Sequence, residues 1–98
     1  MILAPGAPTE ATPLTDTLST KYHTPLGDLD YLNMLRIHFQ ANIAAIPALG
    51  VPCGFSQAKL PLSLAIFGTH FDEATVYRVG HAYEQATEWR TRQPSAIA

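Results

Sequence analysis

Residues 42–84 decide the reading of this chain: Asn42-Ile-Ala-Ala-Ile-Pro-Ala-Leu-Gly-Val-Pro-Cys-Gly-Phe55, a polar turn, then Leu60-Pro-Leu-Ser-Leu-Ala-Ile-Phe-Gly-Thr-His-Phe-Asp-Glu-Ala-Thr-Val-Tyr-Arg-Val-Gly-His-Ala-Tyr-Glu84. Pro47 disfavours the α conformation at Ile46 and so ends the helical region before it. Ala48–Cys53 reads as a strand carrying Leu49 and Val51. Pro52 cannot donate to a ladder, which puts it at an edge or a strand end. Residues 54–59 form the turn. Leu62–Phe67 is nearly all apolar, the pattern of a strand buried on both faces. Joined by so short a connection, the strands are expected to form an antiparallel pair over 47–68.

Gly68 closes the second strand, and the segment after it predicts a long helix over 72–90. Asp72 is a good N-cap, and Phe71 with Val76 could close a hydrophobic staple across it. Thr75, Val79, Ala82, Ala86 and Trp89, flanked by Val76 and Tyr83, recur at intervals of three and four and form an apolar face. Arg78, His81, Glu84, Gln85 and Glu88 take the other side. Gly80 costs a helix about 1 kcal/mol relative to alanine. Its presence predicts close packing against a strand. After Trp89 the chain turns polar, and 94–98 reads as a frayed tail.

Towards the N-terminus, residues 1–4 can form a short strand that Pro5, Gly6 and Pro8 end at once. Residues 5–25 contain four prolines and six threonines and read as an extended, irregular segment. From Leu26, the residues Leu29, Leu32, Leu35, Ile37 and Phe39 fit one or two short helices over 26–46, with Asp28 and Asp30 in a first turn. The expectation is one partial domain over 1–98, mixed α/β: an antiparallel strand pair with a long C-terminal helix.

At 98 residues such a domain buries only about 60–65% of its unfolded surface. Charged residues make up 14% of the chain, against roughly 25% in ordinary soluble domains, while apolar residues reach 47%. Part of that apolar surface is expected to lie against another copy or against the rest of a larger body. In particular, Leu62–Phe67 alone would expose unpaired edges and drive self-association. The net charge of −2, with six scattered Lys and Arg, offers no patch for phosphates and argues against nucleic acid as a partner. No stretch is long and apolar enough to span a bilayer, and the N-terminus lacks the basic flank of a signal peptide. With a single cysteine there is no internal disulfide, so a cytoplasmic location is the default.

Candidate chemistry is sparse. Cys53 follows Pro52 at a strand end with no base or cation near it in sequence, so a buried, packing thiol is the simpler reading. His23, His38, His70 and His81 share no metal-ligand spacing. Asp28 with Asp30, and Asp72 with Glu73, suit helix N-termini better than acid–base work. Gly50, Gly54 and Gly68 form no phosphate loop. No catalytic, cofactor-binding or metal-binding residue is assigned.

Asn42, Pro47, Val51-Pro52-Cys53-Gly54-Phe55, Leu60-Pro61, Gly68, Phe71-Asp72-Glu73-Ala74-Thr75 and His81-Ala82-Tyr83-Glu84-Gln85-Ala86-Thr87, preceded by Ile2-Leu3-Ala4-Pro5, resemble the C-terminal end of the amidase-signature family. That family includes general amidases and glutamyl-tRNA(Gln) amidotransferase A subunits. Where it usually has Gly, Ser, Gly and Gln, this chain has Ala45, Gly50, Ser63 and Ala65. Where amidotransferase members commonly carry an acidic substrate-binding residue, it has Met34, Leu35 and Arg36. The resemblance implies a piece of a larger mixed sheet and a parent activity of amide hydrolysis or transamidation through a Ser-Ser-Lys triad. Nothing here resembles the triad region, and Lys21 and Lys59 have no matching serine pair. The chain alone is therefore expected to be inactive, with the missing N-terminal part of an amidase, or a second copy, as its partner. The alternative is a small non-enzymatic oligomerisation or binding module.

Overall fold

A computed structural model describes residues 1–12, 21–24 and 27–93. In chain order the elements are β1 (Ile2–Pro5), β2 (Lys21–Thr24), β3 (Gly27–Asp30), α1 (Tyr31–Ala44), β4 (Ala48–Phe55), β5 (Pro61–Phe67), α2 (Glu73–Ala86) and a 3₁₀ turn over Trp89–Thr91. The fold is mixed α/β. β1, β5 and β4 form an antiparallel three-stranded sheet in that order, and β2 pairs with β3 in a separate antiparallel hairpin.

The expected strand pair is therefore a trio, and β5 is its central strand. Gly6 N–H donates to the Ser63 carbonyl at 2.9 Å, and Gly68 N–H donates to the Pro47 carbonyl at 3.0 Å. Alternation in antiparallel ladders extends both patterns: Ser63, Ala65 and Phe67 bond towards β1, while Leu64 and Ile66 bond towards β4. The open edges predicted for Leu62–Phe67 are thus already filled by its own chain. Pro5 and Pro52 fall at positions where a backbone N–H would point out of the sheet, so neither interrupts a ladder.

Side-chain alternation along β5 divides the core in two. On one face Ala65 and Phe67 pack with Ala41 of α1, with Ile37, Ile46 and Ala4 around them. On the other, Ile66 meets Val51 of β4 and Val76 of α2, with Leu49, Leu64, Val79 and Tyr83 alongside. Burial on both faces holds for Ala65–Phe67, whereas Pro61 and Ser63 are exposed. Fully burying a residue such as Ile66 contributes roughly 1.5–3 kcal/mol.

Local signals and packing part company at three places. The helical region expected from Leu26 starts only at Tyr31; Leu26 itself lies outside the described residues, and Asp28 and Asp30 belong to β3, paired with His23 and Lys21. Asp72 caps α2 as expected, its Oδ1 accepting from Thr75 N at 3.3 Å and Thr75 Oγ1 at 2.8 Å. The staple does not form: Phe71 adopts φ +60° and points into solvent, while Val76 turns into the sheet. The helix stops at Ala86, four residues short of the predicted end, because Thr87 turns extended and Trp89 starts a separate turn. The predicted tail, 94–98, lies outside the described residues.

Candidate functional site

A β-bulge borders an open groove on the three-stranded sheet. The β4–β5 register passes from Pro52↔Ser63 to Gly54↔Leu62, leaving Cys53 as the unpaired extra residue. Gly54 takes φ +132°, a conformation that L side chains rarely adopt, and any Cβ there would touch the Trp89 indole at 3.8 Å. Trp89 in turn meets Phe55 edge to face, centroids 6.3 Å apart, and carries the Arg92 guanidinium 5.8 Å above its ring. The segment after α2 is thus folded down on the bulge.

Beside the bulge lies an open groove of ≈ 920 Å³, floored by β1, β4 and β5 and walled by residues 7–12. Its polar side chains among the described residues are Thr9, Glu10, Thr12, Cys53 and Ser63, and no described Lys, Arg or His lines it. A hydroxyl or thiol becomes a nucleophile at neutral pH only beside a base, a cation or a helix N-terminus. Among the described lining residues Ser63 and Cys53 have no Lys, Arg or His beside them, and Glu10 is the one carboxylate in an otherwise apolar groove. Cys53 is free and half-buried, less enclosed than the sequence expectation had it.

The remaining candidates lie apart from the groove. His70 donates through Nε2 to the Ala44 carbonyl at 2.8 Å, tying the approach to α2 to the end of α1. His81 and Glu73 are exposed, and Asp72 is engaged in capping. His23 and His38 are placed only through their backbone, in β2 and α1. Among the described residues no three His, Cys, Asp or Glu side chains converge where a metal ion could sit, and no helix is long and apolar enough to cross a membrane. Sequence reasoning missed Ser63 and Glu10 as groove residues. Only the departure from the family's usual glycine marked Ser63.

Comparison with known proteins points one way. Glutamyl-tRNA(Gln) amidotransferase subunits A of Bacillus cytotoxicus, Bacillus thuringiensis and Bacillus cereus are each 39% identical over 95 residues, 97% of this chain. The match covers 18% of the length of each of these relatives. No solved structure gives a significant match. The sequence model of the family described as Amidase matches residues 1–77, which contain the whole three-stranded sheet and the cap and first turn of α2, and on that match the chain belongs to the Amidase family.

Proposed function

We propose that these 98 residues are a single partial domain of an amidase-like protein, corresponding to the C-terminal part of the amidase-signature fold, whose whole body hydrolyses or transfers amide nitrogen in the cytoplasm. The observation that carries this reading is similarity along nearly the entire chain to amidotransferase A subunits more than five times as long as the matched stretch. The free thiol of Cys53 fits a reducing compartment. The partner is the N-terminal part of an amidase, which supplies the Ser-Ser-Lys triad; by itself the chain cleaves no amide, since no Lys or His stands with Ser63 or Cys53 among the described residues of the groove. Incubation of the purified chain with acetamide, glutamine and a simple ester is expected to give no hydrolysis above buffer. A rate that survives Cys53→Ala but disappears with Ser63→Ala would overturn this reading.

A second reading, self-association as a non-enzymatic module, is favoured by one observation. Ile2 and Leu3 are 65% and 59% exposed on β1, an outer strand of the sheet, and Met1 just before it is 53% exposed. An apolar strand edge left open invites another strand.

A further inference from the structure

We propose that the free edge of β1 is a strand-addition site occupied by β1 of a second copy, paired antiparallel about a two-fold axis through Leu3. This deepens the self-association reading and is independent of any amidase activity.

The ladder itself decides which backbone groups are available. The Gly6–Ser63 bond fixes the phase of the β1–β5 pairing, so Ile2 and Ala4 spend their N–H and C=O groups on β5, and Leu3 turns both of its groups outward. Pro5 also faces outward but offers only a carbonyl. A two-fold at Leu3 uses this set almost completely. The two Leu3 residues exchange both bonds, and each Met1 nitrogen reaches the Pro5 carbonyl of the other copy. The Met1 carbonyl, opposite the missing proline donor, remains with solvent. A two-fold at Ile2 would make as many bonds, between Met1 and Leu3, but it pairs only residues 1–3 and leaves Ala4 and the Pro5 carbonyl without a partner strand.

The side chains agree with the backbone. β1 carries no charge, and self-pairing places Leu3 beside Leu3 on one face and Ile2 beside Ala4 on the other, covering the exposed Leu3 and Ile2 side chains. The opposite edge is blunted. β4 lacks a donor at Pro52, bulges at Cys53 and is overlain by the 3₁₀ turn at Trp89. Growth through β1 therefore closes into a six-stranded sheet, β4-β5-β1-β1-β5-β4, with both ends protected rather than continuing into a fibre.

Leu3→Pro isolates this contact, because the N–H it removes points away from β5 and the residue before it is already extended. Sedimentation equilibrium of the 98-residue chain is expected to show a dimer, and Leu3→Pro is expected to weaken it about ten- to a hundredfold, both reciprocal bonds being lost, while the melting temperature read at concentrations where both proteins are monomeric stays unchanged. Ala4→Pro, which removes an inward donor, should instead lower the melting temperature. A dimer unaffected by Leu3→Pro overturns this site while leaving self-association in place. A wild-type chain that stays monomeric overturns both.

Discussion

Ala45 adopts φ +56° at the end of α1, where the Ile46 N–H reaches back to the Ala41 carbonyl at 3.1 Å and the Ala45 N–H to the Asn42 carbonyl at 3.4 Å. Those two bonds make a Schellman ending, and Ile46 packing with Ala41 completes it. A left-handed alanine costs roughly 1–2 kcal/mol that glycine avoids, less what glycine gains in the unfolded chain. Ala45→Gly is therefore expected to stabilise the protein by about 0.5–1 kcal/mol, or roughly 4–8 °C of melting temperature per kcal/mol. A thermal melt that is unchanged or lower would contradict the left-handed assignment. Phe71, also at positive φ and 94% exposed, carries the same kind of strain without contributing a core contact.

α2 shows how local and distant forces divide an element. Its start is local: Asp72 accepts from both Thr75 groups, and that cap is worth about 1 kcal/mol. Asp72→Ala is expected to lower stability by that amount in urea unfolding, whereas Asn, which retains a side-chain acceptor, recovers most of it. Equal losses for the two would show that the cap bond contributes nothing. The middle is set by contact, since a Cβ on Gly80 would lie 2.5 Å from Leu49 Cδ2 and hold the helix off β4. The end is tertiary. Periodicity continues through Trp89, but the indole gains more against Phe55 and Gly54 than it would on a solvated helical turn.

For the whole molecule, β5 is the only strand of the sheet that joins both core clusters, and Ile66, 1% exposed, is its most buried side chain. Ile66→Ala removes contacts with Val51 and Val76 together and is expected to cost about 2–5 kcal/mol, a large part of the 5–15 kcal/mol total usual for a domain. Ile43, 85% exposed on α1, supplies the control: Ile43→Ala should stay within about 0.5 kcal/mol. Comparable urea midpoints for the two variants would mean that the sheet is not the centre of stability.

Residues 47–87 were legible because their signals act over a few residues. Proline sets where a donor can be missing, Asp72 caps the next turn, Gly80 marks a close approach, and an apolar run marks burial. The family is legible for the same reason, carried by short motifs along that stretch. The candidate groove was much less so, because its lining joins residues 3–12 to 50–64, and only folding brings Glu10 and Ser63 to one surface. The sequence by itself determined the order of β4, turn, β5, cap and helix. Only the tertiary structure decided that β1 docks on β5 and makes it central, that Gly27–Asp30 pairs as a strand, and that α2 yields at Ala86 to the Trp89 contact. The first and last depend on which distant segment fills a backbone edge or an apolar face, a choice made by long-range pairing that no local propensity encodes, whereas the hairpin pairs Thr24 with Gly27 and is local.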